Sequence, residues 1–203
     1  MKKLLLLAAS IALLRVPVSA APCMTGSLAS YIAMASAGCE LGNLTVSGFA
    51  YKASAGGGAG EITADQIAVT PILVPTGTFG LQFAAAWSVQ TGQSQGSNIT
   101  YHVMSSTATI QVEQVRLDGN GFQAGMFGSV VVNEALATPA ATRDLQIYMK
   151  CTEVCRSQTS AELNLTPPAG ALVVADRVTL HSKLGAAAMT SFTDWLVVCI
   201  PCV

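Results

Sequence analysis

From Asn43 onward the apolar residues recur at every second position. Leu81, Phe83, Ala85 and Trp87 alternate with Gln82, Ala84, Ala86 and Ser88 and so face one side of an extended chain. Ile99, Tyr101 and Val103 repeat the pattern, as do Ala108, Ile110 and Val112, then Leu145, Ile147 and Met149, and finally Val174, Val178 and Leu180; Gly, Pro, Asn or Asp bounds each run. Residues 44–51, 67–74, 128–134 and 189–198 read as further strands. Helical spacing is persuasive only over residues 25–38, where Leu28, Tyr31, Ile32 and Ala35 share a face, Thr25 or Ser27 can cap the start and Gly38 can close the end. About nine strands, one helix and no strand–helix alternation predict an all-β fold: a two-sheet antiparallel β-sandwich, jelly-roll-like, with one short N-terminal helix.

The first residues follow a different logic. Lys2 and Lys3 precede an apolar run over residues 4–14, and Val18, Ser19 and Ala20 are the small residues of a cleavage site, the layout of a secretory signal peptide. Arg15 ends the run after about a dozen residues, short of the roughly 20 that cross a bilayer, so no transmembrane anchor is expected. Cleavage after Ala21 would put Pro22 beside the scissile bond, so the cut is placed after Ala20 and the mature domain at residues 21–203. A lipid on Cys23 would need a small residue just before it, and Pro22 stands there.

Cleavage leaves 183 of 203 residues as a single domain, with seven basic against eleven acidic side chains and a formal charge of −4, so no nucleic-acid partner is expected. A chain that is 51% apolar and 10% charged packs rather than staying disordered, and it offers few catalytic groups. All six cysteines, Cys23, Cys39, Cys151, Cys155, Cys199 and Cys202, lie in the mature region, where an oxidising compartment makes an even number a set of disulfides. Cys23 and Cys39 bracket the helix, and a bond between them closes a loop of about 15 residues, worth roughly 3 kcal/mol. A four-thiolate zinc site from Cys151, Cys155, Cys199 and Cys202 is the alternative use of the rest, although their spacings suit many turns equally well.

Several motifs touch on chemistry. Gly92-Gln93-Ser94-Gln95-Gly96 matches the turn that exposes a nucleophilic serine, with Asp144 or Asp176 and then His181 in hydrolase order, but that turn needs a helix on its exit and here residues 98–103 read as strand. Gly119-Asn120-Gly121-Phe122-Gln123-Ala124 fits a loose dinucleotide fingerprint without the helix that would follow it. Cys199-Ile200-Pro201-Cys202 resembles a redox pair, again with no helix after it. Asp118-Gly119-Asn120-Gly121 carries two hairpin-turn dipeptides and too few oxygen ligands for calcium. Residues 54–60, nearly all Gly and Ala, read as a mobile loop. The sequons at Asn43, Asn98 and Asn164 are read as chance.

His102 and His181 take outward parity. Glu113 and Glu134 are candidate acids for glycoside hydrolysis without supporting features. Trp87 shares the core parity of Phe83, which leaves Trp195 and Tyr148 as aromatics that could stack on a sugar. Asp176, two residues from both Val174 and Val178, has the inward parity of an apolar strand, where a charge is expensive unless paired. A β-bulge over residues 175–177 at a sheet edge is the expected resolution. The other reading buries the carboxylate on hydrogen bonds that lock a neighbouring loop.

Pro22-Cys23, Leu28, Tyr31-Ile32, Gly38-Cys39, Gly42-Asn43-Leu44, Phe49, Tyr51, Val69-Thr70-Pro71, Gly80-Leu81, Phe83, Trp87-Ser88, Ile99, Tyr101, Val132 and Glu134 occur in an order that resembles short exported bacterial proteins ending in a PEP-CTERM sorting tag. The resemblance extends more faintly over residues 172–180 and implies an all-β fold, export, and bacteria that make exopolysaccharide. The chain departs from it where the tag's Val-Pro-Glu-Pro, apolar span and basic stop would stand, ending instead in Cys199-Ile200-Pro201-Cys202-Val203, which points to release into periplasm or medium. Asp176-Arg177 also stands where such proteins carry a Lys-Asp pair. The sequence therefore reads as an exported noncatalytic structural or binding protein of the cell envelope or extracellular matrix, without cofactor or metal, whose partners would be exopolysaccharide or other envelope proteins. The alternative is a secreted carbohydrate-active hydrolase.

Overall fold

The computed structural model describes residues 20–107 and 111–199. Residues 1–19 of the expected signal peptide, Ala108 and Ile110 of one expected strand, and Cys202 lie outside them. In chain order the elements are β1 (Gly26–Ser27), α1 (Leu28–Ala33), β2 (Cys39–Leu41), β3 (Leu44–Gly56), β4 (Ala68–Val74), β5 (Thr78–Val89), β6 (Ser94–Ser105) and β7 (Gln111–Asn120). They continue with β8 (Gln123–Ala124), β9 (Gly128–Ala137), β10 (Thr142–Cys151), β11 (Cys155–Gln158), β12 (Ser160–Ala169), β13 (Ala171–Ser182) and β14 (Ala187–Cys199).

The strands form two sheets of seven, every named pairing antiparallel. One has the order β1-β4-β5-β14-β7-β12, with β8 also on β14; the other runs β11-β10-β9-β13-β6-β3-β2. The chain passes between the sheets at β1–β2 (through α1), β3–β4, β5–β6, β6–β7, β8–β9, β11–β12, β12–β13 and β13–β14. This is the expected all-β sandwich. Period-two alternation explains it: Val130, Val132 and Leu136 on β9, Val174, Val178 and Leu180 on β13, and Phe192, Leu196 and Val198 on β14 are all buried between the sheets.

The core has an aromatic spine. Tyr31 meets Phe49 edge-on at 5.1 Å, Phe49 stacks on Tyr101 at 5.2 Å, and Phe83 stacks on Phe192 at 5.1 Å. Trp87 is 1% exposed, as its parity required, and its indole N–H donates to Ser97 Oγ at 3.0 Å. The two-residue turn between β2 and β3 needs Gly42, whose φ is +62° and where a Cβ would run into the Phe79 ring.

The helix is shorter than its periodicity suggested. Ser27 caps it, accepting from the Ser30 amide at 3.2 Å, but it ends at Ala33, and Ala35 adopts φ +50° well before Gly38. Leu28 and Tyr31 are its buried residues, so six residues suffice to seat its apolar face. The expected mobile loop is also shorter, since residues 54–56 continue β3 and pair with β6. Cross-strand hydrogen bonding needs no side chains, so a run of small residues can still be strand. Conversely β12 was not expected, because Pro167 and Pro168 interrupt it; it is an edge strand whose pairing with β7 skips from Asn164 to Ala169, where prolines are tolerated.

Disulfides join Cys23 to Cys39, as expected, and Cys151 to Cys155. The first leaves no thiol for a lipid on Cys23. The second sits where β10 turns into β11, with Cys151 and Cys155 directly paired, and it removes two ligands from the four-thiolate zinc alternative. Among the described residues no helix is long and apolar enough to cross a membrane.

Candidate functional site

The densest cluster of chemically active side chains lies inside the sandwich. Glu134 on β9, Asp176 on β13 and Asp194 on β14 are 0%, 1% and 0% exposed. Strand register assembles them. Asp176 is directly opposite Glu134 on one side and Ile99 on the other, so both acids project from the middle of one sheet. Asp194, between Leu81 and Leu117 in the central strand of the opposite sheet, reaches them across the core. One carboxylate oxygen from each lies within 4.8 Å of the others.

Two residues from Ile99 on β6, Tyr101 is fully buried and its hydroxyl donates to Asp194 Oδ2 at 2.7 Å. Among the described residues that is the cluster's one hydrogen bond from outside it. Glu134 Oε1 and Oε2, Asp176 Oδ1 and Oδ2, and Asp194 Oδ1 have no such partner among the described residues. No lysine, arginine or histidine among these residues is buried, and Arg177, next to Asp176, points to solvent. Desolvation is therefore the main influence on all three acids and raises each. Asp194 is pushed up to about 7, with the Tyr101 hydrogen bond pulling the other way. Glu134 and Asp176 are raised well above the carboxylate range by burial first and then by the neighbouring acids, and the one hydrogen available between Asp176 and Asp194 is a proton shared by the carboxyls themselves. Burial and the three acids likewise hold the Tyr101 phenol well above its usual range.

This arrangement overturns the expected bulge. β13 keeps its register with β6 and β9 through residues 175–177 in the middle of a sheet, and Asp176 faces inward. Nor does it rest on hydrogen bonds to a loop; its neighbours are two other acids. Sequence parity flagged Asp176 alone, yet Glu134 lies between Val132 and Leu136 and Asp194 between Phe192 and Leu196, the same signal on two further strands.

The other candidates do not assemble into a catalytic site. Ser94 and His181 are cross-strand partners on the outer face of β6 and β13, but Asp176 points the opposite way, and Asp144 is exposed on β10. The Ser94 segment leads into a strand rather than a helix. Glu113 is exposed on β7 and has no part in the buried cluster with Glu134. His102 and His181 are exposed, as expected. Of the expected double turn at residues 118–121, Asp118, Gly119 and Asn120 end β7, where Asp118 pairs with Arg116 at 2.9 Å and accepts from Ser160 Oγ at 2.6 Å, and the chain bends only at Gly121, whose φ is +66°. Residues 119–124 cross from β7 to β8 and so provide no helix start for a dinucleotide.

The surface offers open hollows rather than a deep cleft among the described residues. A hollow of about 670 Å3 at one end of the sandwich, bordered by Gly42, Leu73, Pro75, Phe79 and Val198 among others, has no titratable side chain in its wall. Another, beside the Cys151–Cys155 turn, includes Tyr148, Lys150 and Arg156 with a single acid, Glu153. Trp195 lies on the outer face of β14 with the Arg116 guanidinium 5.2 Å above its ring, and on the opposite sheet the Lys150 ammonium stands 5.0 Å from the Tyr148 ring.

No known family and no curated protein matches this chain. Among solved structures, it is similar to the enzymatically active domain of tailspike protein 4 of bacteriophage CBA120, at 8% identity and a TM-score of 0.32 over 78% of this chain, which spans only 20% of the tailspike chain. A family 11 carbohydrate-binding module from Clostridium thermocellum, in complex with a β-1,3-1,4-mixed-linked tetrasaccharide, gives 9% identity and a TM-score of 0.28 over 72% of this chain and 88% of the module. Endoglucanase 3 of family GH12 from Trichoderma harzianum gives 7% and 0.21 over 74% of this chain and 97% of the enzyme. With scores this low, the fold rests on the strand pairing itself.

Proposed function

We propose that this chain is an exported, noncatalytic β-sandwich that acts through its outer surface, as a structural or binding component of the cell envelope or extracellular matrix. One observation carries the reading. The close carboxylates that a hydrolase would need are present, but at 0–1% exposure they are closed off from any polymer, while the surface hollows just described hold at most one acid each. Two disulfides suit an oxidising compartment. The resemblance to PEP-CTERM-tagged proteins suggests exopolysaccharide as the partner, and Trp195 and Tyr148 are the side chains on outer faces that could stack on a sugar ring.

The test incubates purified protein with exopolysaccharide extracted from the producing bacterium, and measures co-sedimentation and reducing-sugar release together. Retention that falls in Trp195→Ala or Tyr148→Ala, with no sugar released, is the expected result. Release of reducing ends that disappears in Glu113→Gln or Glu134→Gln would replace this reading with the carbohydrate-active hydrolase.

A further inference from the structure

We propose that Glu134, Asp176 and Asp194 form an internal calcium site that ties the two sheets together. The three buried side chains carry six carboxylate oxygens, five of them with no hydrogen bond from outside the cluster, and one oxygen of each lies within 4.8 Å of the others between β9, β13 and β14. Exposed acidic clusters are solvated and need no partner. This one is shielded from solvent, and among the described residues no buried cationic side chain balances it. Each uncompensated buried ion carries a penalty of several kcal/mol, so ionised carboxylates persist there only beside a countercharge.

The chemistry of the donors selects the ion. All are hard oxygens, with no imidazole or thiolate in the group, which disfavours zinc and copper and favours calcium, magnesium or manganese. Calcium binds oxygens at roughly 2.3–2.6 Å, so ligands on opposite sides of one ion are about 5 Å apart. The 4.8 Å limit on the cluster fits that span. Three carboxylates binding through both oxygens would supply the six ligands at which calcium's range begins, whereas magnesium demands stricter octahedral geometry and usually keeps several waters, which side chains closed off from solvent do not favour. Tyr101, donating to Asp194 Oδ2 at 2.7 Å, is the outer support that fixes the orientation of one ligand. Because two ligands come from one sheet and one from the other, the ion would be captured as the sheets close, coupling binding to folding.

Purified protein is unfolded in urea with a chelator, refolded with or without calcium chloride, desalted, and examined by elemental mass spectrometry and thermal unfolding. A single calcium per chain and a Tm higher by roughly 5–10 °C at saturating calcium are expected. Both should vanish in Glu134→Gln and Asp194→Asn, which keep the side-chain shape and fold without the ion because they remove buried charge. Terbium refolded into the wild type should luminesce through Tyr101 and be displaced by calcium, a readout that needs no variant. Absence of retained calcium together with an unchanged Tm overturns the site. So does an equal response in the Glu134→Gln/Asp194→Asn double variant, or a stronger response to magnesium or zinc than to calcium.

Discussion

Asp176 and Glu134 stand directly opposite each other on β13 and β9, both side chains inside the sandwich, with Asp194 facing them from the other sheet. Like charges opposed across a strand pair destabilise a sheet even at a surface. In the core the repulsion is unscreened, so the cluster makes the stability of this domain depend on what neutralises it.

Glu134→Gln should therefore stabilise the calcium-free protein at pH 8 by about 1–3 kcal/mol, since the folded wild type must either keep Glu134 protonated against the bulk pH or bury its charge, whereas the amide does neither and adds a donor for Asp176 or Asp194. Urea unfolding with a chelator present measures it. A loss of stability at that pH would mean that the carboxylate is satisfied in a way its surroundings do not suggest.

Stability without calcium should fall as the pH rises. The folded chain holds protons on Glu134, Asp176 and Asp194 that the unfolded chain has released from about pH 4 upward. The contribution of these groups is thus complete below about pH 4 and is lost as the pH passes through the raised folded values, which for Asp194 is about 7. Urea midpoints between pH 4 and pH 8 should decline in the wild type and flatten in Asp194→Asn; a wild-type midpoint that climbs over this range would contradict the assignment.

Tyr101→Phe removes the one hydrogen bond that reaches the cluster from outside it. The expected loss is about 1–3 kcal/mol at neutral pH, because Asp194 Oδ2 is left buried and unpaired. The same change should raise the Asp194 pKa further, readable as a fall of the urea midpoint that continues to higher pH than in the wild type. Equal losses at pH 4 and pH 8 would show that only packing had been disturbed.

The Cys23–Cys39 and Cys151–Cys155 disulfides should contribute unequally. Cys23–Cys39 spans 16 residues and Cys151–Cys155 only 4. In the chain-entropy picture the paired serine variants lose roughly 3 kcal/mol for the first and about 2 kcal/mol for the second. Denaturant unfolding of both, compared with the reduced wild type, checks the order.

The sequence by itself determined most of the strands, the buried face of each of these and the staple around the helix, because side-chain alternation and loop closure are local properties of the chain; the proline-interrupted β12 and the small-residue end of β3 escaped it. It even marked the three acids, each between apolar neighbours of the same parity: Glu134 with Val132 and Leu136, Asp176 with Val174 and Val178, Asp194 with Phe192 and Leu196. Taken one strand at a time, an inward carboxylate is too costly to accept, and a bulge at Asp176 was the economical expectation. Only the tertiary structure decided otherwise. Which strands become neighbours, and at what register, follows from burying all the apolar faces at once, and that collective outcome sets β9 beside β13 and β14 across from both. Three residues up to 60 positions apart in the chain thereby become one site, whose protons or ion are shared and so cannot be read from any one of its strands.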